Sequence, residues 1–199
     1  MIELCGVTKR FGQQTVLHGL DAVFADGESV CVMGPSGAGK TTLANLLLGL
    51  LAPDAGTVRT HGARFSCAFQ EERLLPQLSA EANVRFACGR AAEARQALGA
   101  VGLAGEDLAK PAAQLSGGQQ RRVSLVRALL AASDCVILDE PFKGLDDDAR
   151  AQAAAFVKAH KGDRTLLCIT HDAHDAAALD ARVFLLAPAA NEAPQSAGR

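Results

Sequence analysis

The segment Gly34-Pro35-Ser36-Gly37-Ala38-Gly39-Lys40-Thr41 constrains the chain more than any other. It fits the pattern GxxxxGK(S/T). Before it stands Ser29-Val30-Cys31-Val32-Met33, a short apolar run suited to a strand buried on both faces. After it, Thr41 to Leu51 reads as a helix. A buried strand feeding a glycine-rich loop that opens a helix is a cradle for phosphate. The glycines let backbone N–H groups turn inward around phosphate oxygens, and the helix presents its positive dipole end to the anion. In this pattern Lys40 reaches the β- and γ-phosphates and Thr41 ligates Mg²⁺.

The rest of the chain repeats the strand-then-helix alternation. Ile2 to Val7 and Thr15 to Phe24 have strand spacing, with Gly12-Gln13-Gln14 as a turn between them, and predict an N-terminal antiparallel β region. Ala52 to Gly56 reads as a turn and Ala63 to Phe69 as a further strand. From about Glu71 to Ala113, Ala, Leu, Glu and Arg recur with helical spacing, which predicts an inserted helical lobe. Ser116 to Ala132 reads as a helix, Cys135 to Leu138 as a buried strand, Ala149 to His160 as a helix and Thr165 to Ile169 as a buried strand. The alternation predicts an α/β core with a mainly parallel sheet. A length of 199 residues suits one domain, with residues 1–70 and 116–190 as its core and 71–115 as the lobe. Residues 188–199, rich in Ala, Pro, Ser and Gly, read as a flexible tail.

Charge narrows the function classes. The chain has 20 Lys+Arg against 22 Asp+Glu, a net charge of -2. That excludes a generally basic nucleic-acid coat and a polybasic membrane anchor. There is no run of about 18 apolar residues to span a bilayer, and Met1-Ile2-Glu3-Leu4-Cys5 lacks the features of a signal peptide. The six cysteines form no CxxC and have no His at zinc spacing, so they read as small buried hydrophobes in a reducing, cytosolic compartment.

Two further motifs bear on chemistry. The run Cys135-Val136-Ile137-Leu138 ends in Asp139-Glu140. Carboxylates at a strand's carboxyl end face the crevice where α/β proteins bind ligands. Asp139 would hold the Mg²⁺ shell, and Glu140 would polarise an attacking water as general base. In Leu115-Ser116-Gly117-Gly118-Gln119, Ser116 and Gln119 form a capping box, and two glycines in that turn let a ligand approach the backbone. It is a second helix N-terminus suited to an anion.

Together these residues resemble the nucleotide-binding subunits of ABC transporters over nearly the whole chain. Leu115 to Gln119 stands as that family's signature motif. Residues 34–41, Gln70, Asp139-Glu140, Gly144-Leu145-Asp146 and His171 match its other elements in order. The stretch Phe69-Gln70-Glu71-Glu72-Arg73-Leu74-Leu75-Pro76 looks most like bacterial importers of the nitrate, sulfonate and taurine type.

The resemblance implies a P-loop NTPase core and assigns roles. Phe11 would stack on adenine. Gly34 to Thr41, with Thr42, would hold the phosphates. Thr41, Gln70 and Asp139 would face Mg²⁺. Glu140 would activate water, with Lys40, Gln70 and His171 completing the catalytic set and His171 sensing the γ-phosphate. Ser116, Gly117, Gly118 and Gln119 would meet ATP across a seam between two ATPase subunits, identical or similar, with Asp146 at that seam. A separate transmembrane permease, with or without a soluble substrate-binding protein, would be the partner, at the cytoplasmic face of the cell membrane; no nucleic acid is expected. An exporter or lipid-extracting subunit is the alternative within transport, and a ribosome- or nucleic-acid-associated ATPase the alternative outside it. His18, His61, His160 and His174 match no motif and read as surface or structural, and Asp147, Asp148 and Arg150 as a solvated helix start. The lobe is short for the family, Gln77 stands where an aromatic is usual, and Lys143 stands where a small residue is common.

Overall fold

A computed structural model describes residues 1–189, so most of the tail expected at 188–199 lies outside the described residues. Strands β1 (Ile2–Phe11) and β2 (Gln14–Phe24) form an antiparallel hairpin that closes on the pair Phe11–Gln14. The turn is therefore Gly12-Gln13, one residue shorter than expected. The sheet's third strand, β4, begins inside the expected Ala52–Gly56 turn. It spans Ala55–Arg59 and pairs antiparallel with β1, giving the order β2-β1-β4. Its residues are mostly exposed, so no apolar alternation marks it; pairing with β1 makes it a strand.

The second sheet is parallel. Strands β3 (Ser29–Met33), β5 (Phe65–Ala68), β6 (Cys135–Asp139), β7 (Thr165–Ile169) and β8 (Arg182–Leu185) run in the order β5-β6-β7-β3-β8. Strands β6 and β7 are buried at every residue, as the apolar runs Cys135–Leu138 and Leu166–Ile169 within them require. Alternate side chains enter two cores. Val30, Val32, Ile137, Leu167 and Ile169 pack with Leu43 and Leu47 and with Leu4, Leu17 and Phe24 of the antiparallel sheet. Cys31, Val136, Leu138, Leu166 and Cys168 pack on the opposite face with Val123, Val126, Phe156 and Val157.

The helices are α1 (Lys40–Leu47), α2 (Ala80–Cys88), α3 (Ala91–Ala100), α4 (Gly117–Leu130), α5 (Asp147–His160) and α6 (Ala173–Ala178). Helix α1 stops short of the expected Leu51 because the Leu50 and Leu51 amides both fold back to the Asn45 carbonyl. Helix α5 begins two residues earlier than Ala149, since the Asp146 carboxylate accepts from the Ala149 amide at 2.8 Å and caps it. Residues 71–115 hold α2, α3 and two short 3₁₀ turns, and Val84, Ala94 and Leu98 share the core under α4. Buried Asn83 organises the approach to α2. Its side chain accepts from the Leu75 amide at 2.8 Å and donates to the Leu75, Leu78 and Ser79 carbonyls. The reading of all cysteines as buried needs correction. Cys31, Cys135 and Cys168 are buried, Cys67 and Cys88 are half-buried, and Cys5 is exposed because Leu4 beside it takes the core side of β1.

Candidate functional site

Strand β3 delivers the chain into the glycine-rich loop, and two tight approaches fix that loop's path. A side chain at Gly34 would put its Cβ 2.4 Å from the Leu186 carbonyl oxygen. Gly39, at φ 94°, caps α1 in the left-handed region, where a Cβ would lie 2.7 Å from Leu17 Cδ2. The first turn of α1 carries no acidic residue, so its amides face the loop without a competing carboxylate. Lys40 Nζ donates to the Gly34 carbonyl at 2.8 Å and to the Pro35 carbonyl at 3.0 Å, which holds the ammonium over the loop.

Strand register brings the acidic residues alongside. Val32 of β3 lies opposite Ile169 of β7, and Ile169 lies opposite Asp139 of β6. Asp139 is only 4% exposed and accepts from Thr41 Oγ1 at 3.1 Å. Burial pushes its carboxyl above the ordinary carboxylate range, against the Thr41 hydrogen bond. Glu140 then turns the chain at φ 53°, a region that non-glycine residues rarely occupy, while its amide donates to the Ile169 carbonyl at 2.8 Å. Its carboxylate oxygens lie 2.9 and 3.0 Å from His171 Nδ1, which follows β7.

These groups surround a cleft of about 630 Å³. Of the residues expected from sequence, Gly34, Pro35, Ser36, Gly37, Gly39, Lys40, Thr41, Thr42, Gln70, Asp139, Glu140 and His171 line it. Gln14, Val16, Lys143 and Ile169 line it as well and were not expected there. Gln14 opens β2 beside the hairpin turn, and nothing in the sequence marks it. Lys143 stood out only as an unusual residue in its turn. Hard oxygen donors from Thr41 and the buried Asp139 suit a small divalent cation, and the loop amides with Lys40 suit a polyphosphate.

The other expected residues do not line this cleft. Ala38 is fully buried beneath the loop. Phe11 is 49% exposed at the end of β1, with Lys9 Nζ 5.6 Å from its ring. Ser116 caps α4 in a complete capping box, and Gln119 Nε2 also reaches Asp107 at 2.8 Å; Gly117 and Gly118 form that helix's first turn. Asp146 caps α5. Arg150 corrects the expectation of a solvated helix start. It donates to Asp172 and to buried Asp175, reaching the latter through Nε at 3.0 Å, because α6 folds back against α5.

The comparison with known proteins decides the family. The family described as ABC transporter matches residues 17–143. The chain belongs to that family. The aliphatic sulfonates import ATP-binding protein SsuB 3 of Rhodococcus jostii is 42% identical over 193 residues, covering 93% of this chain and 70% of that protein. The thiamine import ATP-binding protein ThiQ of Cereibacter sphaeroides is 40% identical over 195 residues, covering 88% and 84%. Among solved structures, a dimeric post-hydrolysis state of the ATP-binding cassette MJ0796 bound to ADP and Pi superposes with a TM-score of 0.84 at 26% identity, covering 95% of this chain and 97% of that one. The family fold is thus the one described above, a parallel sheet with a flanking antiparallel sheet. No described helix is long and apolar enough to cross a membrane.

Proposed function

We propose that this chain binds and hydrolyses ATP to power a membrane transporter, and that the transporter is an importer. One observation carries the ATPase reading: the loop ammonium of Lys40, the Thr41–Asp139 pair at 3.1 Å and the Glu140–His171 pair at 2.9 Å converge on one cleft. The importer reading draws support from relatives such as the sulfonate and thiamine import subunits, identical at 42% and 40% of aligned positions.

The loop amides and Lys40 bind the β- and γ-phosphates and spread the charge of the transferring phosphoryl group. Thr41, Asp139 and Gln70 would hold Mg²⁺, which supplies charge neutralisation at the phosphates when bound. Glu140 accepts a proton from the attacking water. His171, hydrogen-bonded to Glu140, orients that carboxylate and contacts the γ-phosphate. Phe11 lies against the adenine. Ser116, Gly117, Gly118 and Gln119 of a second subunit close over the nucleotide, with Asp146 at the seam, and the dimeric relatives support that arrangement. ATP binding drives closure to the extent that it favours the closed pair. Residues 1–70 and 116–190 carry the nucleotide, and 71–115 transmit closure to a separate permease at the cytoplasmic face. The permease, with any soluble binding protein, selects the cargo.

Phosphate release by the purified full chain with ATP and Mg²⁺ tests the enzyme. Lys40→Ala should weaken ATP binding at least tenfold, about 1.4 kcal/mol; unchanged affinity by titration calorimetry contradicts the loop assignment. Capture of tagged Glu140→Gln from detergent-solubilised native membranes with ATP tests transport. A multi-span permease together with a substrate-binding protein supports import. Ribosomal or DNA-bound factors without a permease contradict it.

A further inference from the structure

Three segments of the site meet on Arg121 of α4. Its Nη2 donates to Glu72 Oε1 at 2.8 Å, and its Nη1 donates to the Lys143 carbonyl. The Arg121 and Glu72 side chains are each only 20% exposed, so this pair is largely shielded from solvent. A guanidinium's rigid fork holds two acceptors at once, which a single ammonium on a flexible stem does not reproduce. The backbone of the turn lies against the fork: a Cβ on Gly144 would sit 3.7 Å from Arg121 Nη1. Leu145 packs on the first turn of the same helix, 3.4 Å from a Cβ built on Gly118.

Each segment leads directly to the cleft. Glu72 is two positions after Gln70, and Gln70 lines the cleft. The Lys143 amide donates to the Glu140 carbonyl at 3.3 Å, and both residues line the cleft. Helix α4 grips the Gln70 segment a second time, through Arg127 to the Glu72 and Arg73 carbonyls at 3.1 and 3.0 Å. Loss of Arg121 therefore leaves that segment attached and removes a polar tie on the Lys143 turn, which keeps the packing of Phe142 and Leu145.

We propose that Arg121, paired with Glu72, is a positioning residue that ties the Lys143 turn, and through it Glu140, to the segment carrying Gln70. Arg121 itself does not line the cleft. The proposal rests on the ATPase reading above for its kinetic arm and not for its structural one. Lys143 lines the cleft while its carbonyl accepts from Arg121.

The test uses the full chain as wild type, Arg121→Gln, Arg121→Lys, Glu72→Gln and the Arg121→Gln/Glu72→Gln double variant. Two readouts are taken: steady-state phosphate release, and backbone hydrogen exchange without nucleotide. Arg121→Gln should lower kcat roughly tenfold with KM for ATP unchanged. Glu72→Gln should lower it about threefold, Arg121→Lys should fall between, and the double variant should be no worse than Arg121→Gln. Exchange in peptides over 141–146 should quicken in Arg121→Gln, with 34–41 unchanged. Wild-type kcat and wild-type exchange in both Arg121→Gln and Glu72→Gln overturn the proposal. So does a rise in KM with faster exchange throughout, the mark of general destabilisation. If Arg121→Gln does not fold, Glu72→Gln decides by the same two readouts. If the wild type itself releases no phosphate, the ATPase reading fails, and the exchange pattern still judges the Arg121 link.

Discussion

Glu140 is the residue where local backbone cost and chemistry coincide. A left-handed conformation at a non-glycine residue costs about 1–3 kcal/mol, and Glu140 holds φ 53° at the end of a fully buried strand. The turn aims its carboxylate at the cleft beside His171 rather than continuing the strand past it. Glycine adopts that conformation freely but loosens the unfolded chain, offsetting part of the gain. Glu140→Gly should therefore raise unfolding free energy by roughly 0.5–1 kcal/mol while abolishing phosphate release. Denaturant unfolding checks the first result and a phosphate assay the second. A less stable Glu140→Gly protein would mean that the turn stores no strain.

At the scale of elements, the join between α5, β7 and α6 shows how the His171 loop is held. Arg150 of α5 faces Asp172 and Asp175, Thr170 donates to Asp175, and the Asp172 amide donates to Thr170 Oγ1 at 3.1 Å. Arg150→Ala leaves the buried Asp175 carboxylate without its cation and should cost roughly 2 kcal/mol of stability. Hydrogen bonds from Arg150 first, then from the His174 amide, hold the Asp172 carboxyl well below the usual range. A lowered folded-state pKa contributes stability above the unfolded value of about 3.9, and that contribution is lost as pH falls through the lower folded value. Below about pH 4, unfolding free energy should fall more steeply in wild type than in Arg150→Ala. Parallel acid titrations with equal slopes would contradict the role given to Arg150.

Those elements also show what could be read from sequence. Strands β3, β6 and β7 announce themselves because burial on both faces leaves unbroken apolar runs. The glycine-rich loop, Asp139 and Glu140 as lining of one cleft, and Ser116 as a helix cap, were legible because each shows as fixed residue types at fixed offsets. Strands β4 and β8 were not. Their side chains are mostly exposed and they exist through pairing with β1 and β3. Helix α6 is six residues long, too short to display a period. Gln14, and the contacts of Arg121 and Arg150, depend on long-range packing that no local pattern encodes.

For the whole molecule, one parallel sheet separates two cores and gathers the phosphate loop, Asp139, Glu140 and His171 at the carboxyl ends of its three central strands. The capped start of α4 is built with equal care, yet Ser116 does not line that cleft. The proposed site shared between two copies would account for both facts and would make ATP the bond between them. The most direct measurement is the mass of purified Glu140→Gln by light scattering, with and without ATP and Mg²⁺. A site shared between two copies predicts a monomer of 20.6 kDa without nucleotide and twice that mass with it. A protein that binds ATP and remains at 20.6 kDa would contradict a site shared between two copies of this chain.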